Sequence, residues 1–257
     1  MKLRPVLALV ALLALAATPR TSLAQDSTSG PRPSWPFAVG ERMVFDGKFG
    51  FLPVGSAEVR VEAIDTVRGH ETFRVGFSVR GGPRWFGVHD SYTSWFDTRT
   101  LVSYRYHQDI HEGRYNRNRK YEILPSQGIY VLDGKDTSRT VALPLDDESF
   151  LYFLRTVPLE LGQKYTWNRY FAADRNPVIV EVVRREEIEV PAGKFTCLVL
   201  RPTIKTSGIF AEGGHAEVWI SDDDRRLIVQ MKSGLKFGSL NLYLREYSAG
   251  PTTAQDR

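Results

Sequence analysis

The sequence is short of the features that name an activity. No G-x-S-x-G elbow, Walker loop, paired C-x-x-C or H-E-x-x-H occurs in its 257 residues. A single cysteine, Cys197, excludes an internal disulfide, so the fold must stand on its apolar core. No apolar run reaches the roughly 18 residues of a helical membrane span, which excludes a helical transmembrane protein. Net charge is low as well. A formal +4, with 42% hydrophobic and 25% charged residues, describes neither a disordered tail nor a fibre.

What is present begins with an address. Lys2 and Arg4 precede an apolar stretch from Val6 to Ala17, and Ser22-Leu23-Ala24 offers small residues to a signal peptidase. That order predicts a secretory signal peptide over residues 1–24, with no cysteine following it to make a lipoprotein signal. Its loss removes Lys2, Arg4 and Arg20 from 34 basic residues, leaving 31 against 30 acids and a net +1. The processed chain then has no general attraction to polyanions. Residues 25–36, rich in Ser, Pro and Gly, read as a flexible tether, 37–248 as one β domain and 249–257 as a disordered tail. The expected location is outside the cytoplasm, in the periplasm or associated with the outer envelope.

Period-two alternation dominates from there on. Val59, Val61 and Ala63 alternate with Glu58, Arg60 and Glu62, and Phe73, Val75, Phe77 and Val79 alternate with polar neighbours across an Arg68-Gly69-His70 turn. Val102, Tyr104, Tyr106 and Ile110 alternate with Ser103, Arg105, His107, Asp109 and His111. Further runs near 42–49, 86–96, 115–124, 128–132, 138–143, 163–171 and onward to 237–247 bring the count to about a dozen strands. Short links require antiparallel neighbours. One segment differs: Asp146-Asp147-Glu148-Ser149 leads into Phe150-Leu151-Tyr152-Phe153-Leu154-Arg155 and stops at Pro158, a short helix apolar almost all round. The predicted fold is mainly β, a single antiparallel meander curved into a barrel or half-barrel around that helix.

Residue clusters that could carry chemistry have simpler explanations. His107, Asp109 and His111 share one strand face and could hold a metal, but that face is the polar one, and no metal or other cofactor is expected. Arg105, Arg114, Arg117, Arg119 and Lys120 interleave with Tyr106 and Tyr115; export argues against a nucleic-acid partner, anionic lipid head groups or an envelope polysaccharide would match better, and a solvated hairpin tip is the simpler reading. His89 and Asp90, adjacent on a strand, point to opposite faces. Cys197, within an apolar run, reads as a small core residue. The acids of Ser221-Asp222-Asp223-Asp224 read as a hairpin turn.

Five stretches carry a family resemblance. They are Phe37-Ala38-Val39-Gly40-Glu41 with Phe45 and Val54-Gly55-Ser56-Ala57; Asp90-Ser91-Tyr92 with Trp95-Phe96-Asp97 and Leu101; Asp147 to Arg155 with Pro158-Leu159 and Gly162; Glu187 to Phe195; and Val218 to Asp223 with Arg226 and Gly238-Ser239. In this order the chain resembles the bacterial exported domain-of-unknown-function family 3108 (DUF3108), over residues 37 to about 245. The resemblance implies an exported, mostly β protein, similar in shape to the periplasmic lipoprotein carriers, with no catalytic residues to carry over.

The aromatic content and the apolar helix together point to a non-catalytic envelope protein that binds a lipid or other amphiphile in a groove between sheet and helix. Trp85, Trp95, Tyr104, Phe150, Tyr152 and Phe153 are the expected walls, with Arg105 or Arg155 meeting a polar head. The alternatives are a scaffold module with an envelope protein partner, and a hydrolase of an envelope polymer built on His89, Asp90, His107, Asp109 or His111.

Overall fold

The alternation becomes fourteen antiparallel strands in one sheet, seen in a computed structural model that describes residues 33–82, 87–204, 216–235 and 238–250. The expected signal peptide, most of the tether, Trp85 and most of the tail lie outside the described residues. The first eight strands are β1 (Arg42–Phe49), β2 (Leu52–Val67), β3 (His70–Gly81), β4 (Val88–Asp97), β5 (Ser103–Glu112), β6 (Tyr115–Leu124), β7 (Ile129–Leu132) and β8 (Asp136–Arg139). After α1 (Asp147–Leu154), the one α-helix among the described residues, come β9 (Lys164–Trp167), β10 (Val178–Val190), β11 (Gly193–Thr203), β12 (Glu217–Ser221), β13 (Ile228–Leu235) and β14 (Gly238–Ser248).

Two meanders meet at the chain ends. Strands β1 to β8 step outward in one direction, β14 to β9 in the other, and β1 pairs with β14 in the middle. Between the outer strands β8 and β9 the chain crosses the concave side and carries α1 with it. The sheet curves without closing. The outer strands do not pair; instead Leu145 N–H donates to Arg169 O at 2.6 Å, Phe171 N–H to Leu145 O at 2.9 Å and Thr140 Oγ1 to Phe171 O at 2.7 Å. Strand β8 therefore ends at Arg139, short of the expected 138–143, because residues 140–145 leave the sheet to begin the crossing.

The helix forms where the acids predict it. Asp146 accepts from Ser149 N–H at 2.9 Å, and Ser149 Oγ accepts in return from Asp146 N–H at 2.8 Å. This reciprocal cap satisfies donors that the first turn would otherwise leave open, and is worth about 1 kcal/mol. Phe150, Tyr152, Phe153 and Leu154 are buried. Tyr152 meets Phe37 at 4.6 Å and Phe96 at 5.7 Å, and Phe37 meets Phe73 at 5.4 Å, so α1 joins the sheet's concave aromatics in one core. Burying each such side chain contributes roughly 1.5–3 kcal/mol.

Alternation is broken at bulges, and one corrects a predicted face. Trp95 pairs with Arg105 but Phe96 with Ser103, which leaves Tyr104 as the extra residue. The phase flips there: Ser103 and Tyr106 are both buried on the concave side, whereas simple alternation would separate them.

Candidate functional site

Faces of the strands decide what can touch a ligand. On β3 the core residues Phe73 and Val75 continue in register to Phe77 and Val79, which are only half-buried. On β4 the same face carries buried Phe96, Ser94 and Asp90 with half-buried Tyr92 between them, and on β14 half-buried Leu242 follows buried Leu244. Half-buried Leu151 is the exception on the otherwise buried apolar run of α1. The sheet between them is floored by small residues: Gly47 of β1 pairs with Gly55 of β2, Gly55 pairs with Gly81 of β3, and Ala57 follows Gly55 on the same face. Large apolar side chains therefore border a strip that has almost no side chains of its own. Phe77 stacks on Tyr92 at 5.8 Å along its rim.

The polar end of this strip lies at the start of α1. Arg117 donates to Gln108 Oε1 at 3.2 Å, Gln108 Nε2 to Tyr106 Oη at 3.1 Å, and Tyr106 Oη to Asp147 Oδ2 at 3.1 Å. Tyr170 Oη donates to the other Asp147 oxygen, also at 3.1 Å. Ser94 Oγ donates to Asp146 Oδ2 at 2.6 Å, and Ser103 and Ser149 hydroxyls lie 2.7 Å apart. Two buried atoms are left over: Glu148 Oε2 and Arg117 Nε have no hydrogen-bond partner among the described residues. A buried polar atom without a partner costs about 1–3 kcal/mol, so each invites an explanation.

Burial sets the protonation of this end. It pushes the Asp146 carboxyl up to about 6, against the hydrogen bonds from Ser149, Ser94 and Ser103. It raises Glu148 well above the ordinary glutamate value, with Asp146 and Asp147 adding to the effect. Asp147 is raised by burial despite the bonds from Tyr106 and Tyr170. Carboxyls pushed toward the neutral form donate as well as accept.

The residues singled out from sequence distribute differently. Phe150, Tyr152 and Phe153 are core side chains. Trp95 lies on the outer face, because its neighbours Ser94 and Phe96 point inward; its Nε1 donates to Asp65 at 2.9 Å. Arg105 stacks over Trp95 at 5.6 Å and donates to Glu122 at 2.6 Å, also outside. Tyr104, the bulge residue, stacks on His70 at 4.1 Å. Arg155 is fully buried and meets no solvent: it clasps both oxygens of buried Glu41 at 2.6 and 2.8 Å. Its other bonds go to the carbonyls of Pro36, Arg225 and Arg226.

The polar clusters do not converge. Asp90 faces inward and accepts from His111 N–H, while exposed His89 points the other way. His111 turns to Asp109 at 3.1 Å and Asn116 at 2.8 Å, and His107 packs against Trp95 at 4.9 Å. No group of three or more metal-ligating side chains occurs among the described residues. Cys197 is buried, which pushes its thiol up to about 12 and removes it as a nucleophile. Asp223 caps its own turn, accepting from Ser221 Oγ at 2.7 Å.

Sequence reasoning missed Arg117, counting it with a solvated hairpin tip. The signal was there: Arg117, Arg119 and Tyr121 share a strand face, and Tyr121 is a core residue, so that face looks inward.

The sequence profile described as "Protein of unknown function (DUF3108)" matches residues 44–245. No curated protein matches the chain. Among solved structures, a beta-barrel-like protein of the domain of unknown function DUF1849 from Brucella abortus aligns with TM-score 0.56 and 9% identity. The alignment covers 83% of this chain and 98% of that one, and it shows a shared fold. A candidate lipoprotein from Parabacteroides distasonis aligns with TM-score 0.38 and 12% identity, covering 85% and 100% of the two chains.

Proposed function

The chain belongs to the DUF3108 family, whose description names no activity, and on that premise we propose from its own geometry an exported envelope protein that binds a single amphiphile. The apolar chain lies along the glycine-floored strip against Phe77, Val79, Leu151 and Leu242. The head lies at the start of α1, where Arg117 Nε and the Glu148 carboxyl, pushed by burial toward its neutral form, donate to its oxygens. The observation that carries this reading is the pair of buried, unpartnered polar atoms at one end of a half-open apolar strip. An expected signal peptide adds the location. The wall differs from the one expected from sequence, since Trp95, Tyr104 and Arg105 face outward and Arg155 is committed to Glu41.

Native mass spectrometry of the processed protein with a single-chain phospholipid below its micelle concentration tests this. One bound amphiphile per protein is expected, with Val79→Asp abolishing it. Arg117→Gln should weaken it about tenfold, the worth of one charged hydrogen bond. A protein that stays empty at saturating amphiphile would end the reading.

A further inference from the structure

Three of the seven large apolar side chains exposed among the described residues gather at the tip joining β1 to β2. Phe49 is 40%, Leu52 54% and Phe51 87% exposed. The tip projects beyond the cross-strand row Gly47–Gly55–Gly81. At that row the backbones come so close that a Cβ on Gly55 would sit 2.2 Å from Arg80 O. Nothing in the strand register hides the tip: Phe49 pairs only with Leu52 and Leu240.

The charge around the tip that lacks an ion-pair partner among the described residues has one sign. Lys48, Arg80 and Lys232 flank it on the outer face, and Lys48 and Lys232 both pair with Asn241 across the sheet. None of the three has a carboxylate within ion-pair distance among the described residues, although Lys48 lies 5.1 Å over the Tyr243 ring. The nearby acids are already neutralised. Glu217, opposite Lys232, is held by Arg184 at 2.9 Å and Arg201 at 3.1 Å, Asp46 by Arg245 at 2.8 Å, and Glu58 by Arg42 at 2.8 Å.

We propose that the β1–β2 tip is a membrane-docking element, with Phe49, Phe51 and Leu52 entering the interface of an anionic bilayer and Lys48, Arg80 and Lys232 meeting its head groups. Apolar side chains ringed by uncompensated cations fit that surface from both sides of its boundary. A second copy of the chain fits it less well. A two-fold contact through the tip sets the same three cations against themselves. Three side chains and three charges give reversible attachment rather than permanent anchoring. The proposal stands apart from amphiphile binding, since it uses neither the strip nor α1.

Co-sedimentation of the processed full chain with vesicles decides it. The protein should pellet with phosphatidylglycerol–phosphatidylethanolamine vesicles, and at least tenfold less with phosphatidylcholine or at about 1 M salt, where screening acts within roughly 3 Å. The double variant Phe51→Ser/Leu52→Ser should lose at least tenfold in vesicle affinity with an unchanged melting temperature, since both side chains are exposed. Val79→Asp should pellet like the unaltered protein, which separates this result from that of the strip. The proposal is overturned if the unaltered protein stays in the supernatant or if the double variant pellets equally well. Concentration-dependent dimers that the double variant abolishes would also overturn it, by assigning the tip to a second copy.

Discussion

Arg155 and Glu41 are the residue pair on which the middle of the molecule hangs. Their ion pair ties the end of α1 to the start of β1, and the same guanidinium reaches the carbonyls of the β12–β13 turn. Truncating one partner of such a pair strands the other charge in the core, at about 3–5 kcal/mol. Arg155→Met should therefore lower the unfolding free energy in urea by about that much. Glu41→Leu combined with Arg155→Met should lose less than Arg155→Met alone, because no charge is then left unmatched. Asp146 makes a second prediction. Its folded-state carboxyl titrates at about 6 against an ordinary 3.8, so the folded protein binds the proton more tightly than the unfolded chain does. Its contribution is therefore full below about pH 3.8 and is lost as pH rises through 6. The gap corresponds to about 3 kcal/mol. Asp146→Asn keeps the cap but cannot ionise. The stability difference between it and the unaltered protein should accordingly grow in the variant's favour from pH 4 to pH 7, as followed by thermal melts. A difference independent of pH would mean that Asp146 is hydrated.

At the scale of elements, the glycine row and the crossing helix show what alternation can and cannot announce. Runs such as Phe73 to Val79 declare a strand and its inward face by themselves, and the acids before Phe150 declare a helix start. The bulge at Tyr104 is silent in sequence, since inserting one residue changes the phase without changing composition. The meeting of Glu41 with Arg155, 114 residues apart, is equally silent, because nothing local in either stretch requires a charged partner. This is why Arg155 reads as a head-group contact until the fold is seen. Arg117 is the opposite case. Its face is legible from Tyr121, and only the density of charge around it disguises the fact. The row itself is testable: Gly55→Ala brings a methyl against the β3 backbone, whereas at Gly50, also with a positive φ, no atom lies within 4 Å. Overpacking there should cost about 1–3 kcal/mol, more than Gly50→Ala, in paired thermal melts.

The whole molecule manages its edges by brevity. The outer strands β8 and β9 have four residues each, and Asp136-Thr137-Ser138-Arg139 is exposed throughout. Such edges are poor templates for another sheet, which weighs against a scaffold that works by strand addition. The longer pairings lie elsewhere, and one of eight residue pairs joins the first described strand to the last. Strand β1 finds its second neighbour only in β14, the last of the described strands in chain order. Until β14 arrives, the first meander must wait with the bare flank of β1 open, its amides and carbonyls unanswered. The edge most in need of protection is thus one that the folded protein no longer has, and the folding chain, more than the folded one, is where a holding chaperone would find its client.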